Sequence, residues 1–183
     1  MIKAILTFIF LFSLDNLLVI FLPIQPIFGN YILIPYLLLI GMCVAVFYDE
    51  DNYTPWLALI FGLIYDVYAT NLLGIYIIMF PILVLLIKKH VVPITPINFV
   101  SIFYVSIVSI LVVEVVVYLL VMMIIPTRNL SLFGMMEFVQ YRLVITLIFN
   151  LLLLIITYLP LIKFLKPRHE KKVKTVMIDN TSA

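Results

Sequence analysis

From Phe99 to Ile125 the chain carries one charged side chain, Glu114, in an otherwise apolar run. A helix crosses the hydrocarbon of a bilayer with about 20 apolar residues, so this run is long enough to span. Comparable runs recur at Lys3–Leu22, Tyr31–Tyr48, Pro55–Thr70, Leu72–Ile87 and Val139–Leu165. Only 11% of the 183 residues are charged, 66% are hydrophobic, and the mean hydropathy is +1.31. That balance leaves too little polar surface to cover a soluble domain of this size. The runs lack the strict alternation of a membrane β-barrel. The expectation is an all-α polytopic membrane protein of about six transmembrane helices. It comprises one transmembrane domain over 1–165 and a basic cytoplasmic tail over 166–183, predicted to be disordered beyond its basic part.

The third and fourth runs are short and almost contiguous. At about 1.5 Å per residue, sixteen helical residues reach about 24 Å, so these runs form either two spans joined at Ala69-Thr70-Asn71 or one re-entrant pair. The apolar stretch after Met-Ile-Lys resembles a signal peptide, but no Ala-x-Ala site follows it and Asp15 interrupts it, so it reads as a retained first span. With both termini in the cytoplasm, the inner side receives Lys3, Lys88, Lys89, Lys163, Lys166, Arg168, Lys171, Lys172 and Lys174, and the outer side Arg128 and Arg142. Positive charge favours the cytoplasmic side, and this asymmetry fits an even number of spans. Pro35 and Pro55 fall near helix starts, where a missing N–H is harmless. Pro81 and Pro160 fall inside apolar runs and predict kinks. The outer loop Pro126–Phe138 is rich in Leu, Phe and Met, as in a segment lying on the membrane surface.

The stretch Gly62-Leu-Ile-Tyr-Asp-Val-Tyr-Ala-Thr-Asn-Leu-Leu-Gly-Ile-Tyr76 places a carboxylate, Asp66, between two glycines in sequence otherwise fit for lipid. A carboxylate at membrane depth is unfavourable by about 2.5 kcal/mol or more on insertion scales, so it needs a partner, a wet site or a function. Ala58, Gly62 and Asp66 are four apart and share one helix face, as do Gly41 and Ala45. Such faces serve close packing within a chain or docking of a partner's helix, and spacing does not distinguish the two. Asp15, Glu114 and Arg142 are the other charged groups at membrane depth. One arginine among three acids predicts an internal polar cluster in which desolvation protonates one or more acids. Its role is a fold-stabilising ion pair, a partner contact or an ion pathway. Tyr65, Tyr68 and Tyr76 flank the same turn, and their hydroxyls suit the membrane interface.

The catalytic inventory is thin. Cys43 is the single cysteine and sits in an apolar run, which excludes an internal disulfide and a thiolate cluster. His90 and His169 fall in basic segments, and no serine has a histidine at comparable depth. No group has metal-ligand spacing and no phosphate-binding loop appears. The basic residues are explained by topology, which leaves nothing to suggest nucleic acid. Neither an enzyme nor a cofactor is expected. The basic tail fixes topology, holds anionic lipid or contacts a cytoplasmic protein.

The Gly-Leu-x-x-Asp core followed by Leu-Gly-Ile-Tyr resembles the signature region of the rod shape-determining protein MreD family. Chain length, span number and the short basic tail are also similar. The resemblance implies a non-enzymatic subunit of the bacterial cell-elongation machinery in the cytoplasmic membrane, supporting peptidoglycan synthesis and rod shape. The partners it implies are the bitopic protein MreC, a RodA-type glycosyltransferase, a class B penicillin-binding transpeptidase and, indirectly, MreB. It implies a fold similar to the S-components of energy-coupling-factor transporters. Gly62, Asp66 and Gly74 match the motif, with a structural or docking role. The fold likeness supplies an alternative, a vitamin-binding S-component. Against it, the first span offers only Ala4 and Ser13 as small residues, and the outer loops are poor in polar groups. A lipid-modifying enzyme would need a second motif beside Asp49-Glu50-Asp51.

Overall fold

In a computed structural model describing residues 2–21, 34–49, 51–70, 74–124 and 132–165, every side chain of helix α2 (Leu37–Phe47) is buried. Its sequence, Leu-Leu-Leu-Ile-Gly-Met-Cys-Val-Ala-Val-Phe, is apolar on all sides, and a helix of that kind needs protein or lipid all round. Here the cover is protein. α1 (Ile2–Phe21), α3 (Thr54–Tyr65), α4 (Ile75–Leu86), α5 (Phe99–Ile124) and α7 (Val144–Leu165) all pack on α2. Leu11 of α1 lies where a Cβ at Gly41 would stand, so the missing side chain allows close approach of the two helices. Phe8 meets Phe61 of α3 edge-on at 5.6 Å.

Every regular element among the described residues is helical. Three stretches are long and apolar enough to cross a membrane: Ile2–Phe21, Phe99–Leu120 and Gly134–Leu165. Leu37–Phe47 and Thr54–Tyr68 are shorter apolar helices. The protein is a polytopic, membrane-spanning helical bundle. π-Helical turns extend α3 (Asp66–Thr70) and α4 (Ile87–Val91), and a third (Val139–Leu143) joins the short α6 (Leu132–Phe138) to α7. Pro55 occupies the first turn of α3, where it displaces no hydrogen bond. Pro81 and Pro160 lie inside continuous α4 and α7.

Several boundaries differ from the sequence expectation. Residues 31–33 of the second run lie outside the described residues, and its helix starts at Leu37, just past Pro35, which disfavours helix for the residue before it. The final helical stretch starts at Leu132 rather than Val139, so the second half of the expected outer loop is helix continuous with the last span. The first half of that loop, Pro126–Ser131, lies outside the described residues, as do Glu50, Asn71 and the basic tail over 166–183. The third and fourth runs form two distinct helices packed closely on each other.

An 11-residue helix rises about 17 Å, little more than half of a hydrocarbon core of about 30 Å. Short helices such as α2 therefore end where water is scarce. Their first N–H groups have no partner within the helix and need one from elsewhere. Where those partners come from defines the polar interior.

Candidate functional site: a framework of buried polar groups

Asp66 follows the last residue of α3 and is fully buried. Its Oδ1 accepts the Tyr76 N–H at 2.8 Å, and its Oδ2 accepts the N–H groups of Gly74 and Ile77, each at 3.0 Å. The carboxylate caps the start of α4, where the helix dipole also favours negative charge. Gly74 turns the chain into α4 with φ of 116°, a left-handed conformation that side chains resist. One turn before Asp66, Gly62 faces the same backbone. A Cβ there would lie 2.5 Å from the Tyr76 carbonyl oxygen and 2.9 Å from Ile77 Cα. Gly62, Asp66 and Gly74 thus form one device that clamps α3 to the first turn of α4.

A second convergence surrounds the start of α2. Asp15 of α1 accepts the N–H groups of Leu37 and Leu38 at 2.8 and 2.9 Å. Asn150 of α7 accepts the Tyr36 N–H at 2.7 Å, and its amide donates to the Ile34 and Thr146 carbonyls. The Tyr36 hydroxyl donates to Glu114 of α5 at 2.7 Å. Glu114 receives Arg142 Nε on its other oxygen at 2.8 Å, and its own side chain is fully enclosed. Residues 34–38 are therefore held by α1, α5 and α7 at once. The Tyr65 hydroxyl approaches the Pro35 carbonyl at 3.5 Å. The rings of Tyr65, Tyr76 and Phe80 pack with centroids 4.7 to 5.6 Å apart, joining the two convergences.

A third cap lies in the connection between α2 and α3. Asp49 accepts the N–H groups of Tyr53 and Thr54 at 3.2 and 3.0 Å and pairs with Lys88 at 2.8 Å. Lys88 also donates to the Asp49 carbonyl. Burial pushes the Asp49 carboxyl upward, but the Lys88 ammonium and the Thr54 hydrogen bonds outweigh it and hold the group below the usual carboxylate range.

Of the four charged residues expected to share a polar cluster, the structure brings Glu114 and Arg142 into direct contact. Asp15 joins them through the α2 entry rather than through Arg142, and Asp66 sits apart at the start of α4. The expected interfacial tyrosines divide. Tyr68 is exposed, whereas Tyr65 and Tyr76 are buried, because the α3–α4 hairpin turns them inward onto Phe80. Asn150 and Tyr36 are not among the residues that the sequence singles out by charge or by the motif. The signal for Asn150 was an uncharged amide in an apolar run, four residues after Thr146. Asp49 belongs to a helix cap, and Asp51 is exposed.

The arrangement fixes backbone. Asp15, Asp49 and Asp66 each hold N–H groups at a helix start, and Glu114 holds a hydroxyl and a guanidinium. Among the described residues, no group of three His, Cys, Asp or Glu side chains is placed to hold a metal ion. The family model for rod shape-determining protein MreD matches residues 1–168 of the 183. The chain belongs to the MreD family. No curated protein and no solved structure matches it. MreD-family proteins are not enzymes, and this one is a membrane subunit of the rod-shape, cell-elongation machinery. The Gly62–Tyr76 clamp and the α2 entry both lie inside the matched region.

Proposed function

We propose that this MreD-family protein is a six-crossing scaffold of the bacterial cytoplasmic membrane, with both termini in the cytoplasm. It holds an MreC-like bitopic protein and works beside a RodA-type glycosyltransferase and a class B penicillin-binding transpeptidase. MreB is linked indirectly, from the cytoplasmic side. The transmembrane domain covers 1–165 and the basic tail 166–183, with a helix arrangement similar to that of transporter S-components.

The observation that carries this reading is the use of the buried acids. Asp15 and Asp66 accept backbone N–H groups, and Glu114 is shared between Tyr36 and Arg142. Groups engaged in this way give the bundle one shape, and a defined shape is what a scaffold presents to a partner's helix. Close packing of helices and a few buried polar contacts supply affinity in a bilayer. Gly62, Asp66, Gly74, Asp15, Glu114 and Arg142 act by setting that surface.

Affinity purification from native membranes in mild detergent tests the reading. Recovery of an MreC-like bitopic protein is expected. Recovery of ATP-binding coupling subunits, or of a tightly held vitamin, would replace the scaffold by a transporter component. Depletion in a rod-shaped host is expected to widen or round the cells, and unchanged width would count against the proposal.

A further inference from the structure

The π-helical turn at the end of α4 fans out three consecutive basic residues. Lys88 turns inward onto Asp49, while Lys89 and His90 are exposed. The chain then passes through Pro93 and Pro96 to α5. This connection presents Ile94 and Ile97 outward, 80% and 54% exposed, followed by Val100 at 69%. Trp56, also exposed, stands in the first turn of α3, the helix start that Asp49 caps. Lys89, His90, Ile94 and Trp56 therefore share one end of the bundle.

Exposed isoleucines on a spanning helix simply face acyl chains. On a proline-bearing connection they have a different meaning, because non-helical backbone exposed to lipid does not sit in the hydrocarbon. The connection lies at headgroup level, where cations, a tryptophan and branched aliphatics together make an interfacial anchor. Residues 87–100 contain no acid. Among the described residues, the acids facing this end from the α2–α3 connection are Asp49, already paired with Lys88, and Asp51, exposed.

We propose that residues 89–100, from the π-helical turn after α4 to the start of α5, are a docking surface for anionic phospholipid, with the headgroup phosphate on Lys89 and His90 and the acyl chains against Ile94 and Ile97. The Asp49–Lys88 pair has a positioning role: it takes one cation inward and presents the next two to the membrane surface.

Native mass spectrometry of the full chain in neutral detergent, titrated with phosphatidylglycerol or phosphatidylcholine, tests this. The wild type is expected to retain phosphatidylglycerol preferentially. The Lys89→Gln/His90→Gln variant should weaken that retention by about fivefold or more, the effect of about 1 kcal/mol for the Lys89 charge alone near a membrane surface. Ile94→Ser/Ile97→Ser should weaken retention of both lipids. Equal retention of the two lipids by the wild type, or unchanged phosphatidylglycerol retention in the Lys89→Gln/His90→Gln variant, would overturn the proposal. So would loss of the preference on Lys171→Gln/Lys172→Gln alone, which would assign it to the basic tail. In the unaltered chain, phosphatidylglycerol with a photoreactive acyl chain should crosslink within residues 89–100. Crosslinks confined to other segments would reject the surface directly.

Discussion

Asp66 shows how one side chain sets a local fold. Its two oxygens take three backbone N–H groups at the start of α4. Asp66→Ala removes the acceptor from a buried Tyr76 N–H and from the part-buried N–H groups of Gly74 and Ile77, and an unsatisfied buried group is unfavourable by about 1–3 kcal/mol. The expected result is a loss of several kcal/mol, or failure to accumulate in the membrane. Asp66→Asn keeps one acceptor oxygen and should fall between Ala and wild type. Thermal unfolding in detergent orders the three, and an Asn variant no better than Ala would show that charge rather than capping matters. Gly62→Ala tests the other half of the clamp. A Cβ 2.5 Å from the Tyr76 carbonyl meets backbone that cannot swing aside, so destabilisation of about 1–3 kcal/mol is expected. A variant as stable as wild type would disprove the close approach. At this scale the sequence was informative where charge marked the position: Asp15, Asp66, Glu114 and Arg142 all stand out against apolar neighbours. It was mute on direction. Nothing in the spacing says that Asp15 reaches Leu37 and Leu38 rather than Arg142, because those contacts join segments far apart in the chain. Asn150 and Tyr36 went unnoticed because an amide and a phenol are tolerated in membranes for many reasons.

Among elements, the apolar runs announced the helices, since length and composition suffice to make a span. The ends of α2, α3 and α4 were less legible. Each start is set by a carboxylate brought from elsewhere: Asp15 for α2, Asp49 for α3 and Asp66 for α4. Only Asp49 precedes its helix closely enough to resemble a local cap. The continuity of α6 with α7 was hidden because its leucine, methionines and phenylalanines suit a surface segment equally well. The Asp49 cap also joins elements, since Lys88 brings the end of α4 to the α2–α3 connection. A carboxyl held below its unfolded value, about 3.9, contributes stability that is complete above that value and lost as pH falls through the folded pKa. The stability difference between wild type and Asp49→Asn should therefore be constant from pH 7 to about 5 and shrink below about 4. Unfolding measured across that range checks it, and a difference that grows toward acid would reverse the assigned sign.

For the whole molecule, the open matter is how the bundle sits across the bilayer. The caps fall into two sets. Asp15 and Asp66 hold the starts of α2 and α4, near the ends of α1 and α3, whereas Asp49 and Lys88 join the end of α2, the start of α3 and the end of α4. If the chain reverses at each helix, the two sets mark opposite faces. The face of Asp49 then also receives Lys3, Lys89 and Lys163, and in the proposed orientation it is the cytoplasmic one. Cysteine labelling with a membrane-impermeant maleimide tests the arrangement, with the native Cys43, only 1% exposed, as a silent background. On intact cells, Glu137→Cys in α6 and Tyr68→Cys in the π-helical turn after α3 should label. Asp51→Cys in the α2–α3 connection should label only after the membrane is opened. The reverse pattern would invert the orientation. Labelling of Glu137→Cys with Tyr68→Cys silent would mean that α3 and α4 enter the membrane without crossing it, leaving four crossings rather than six.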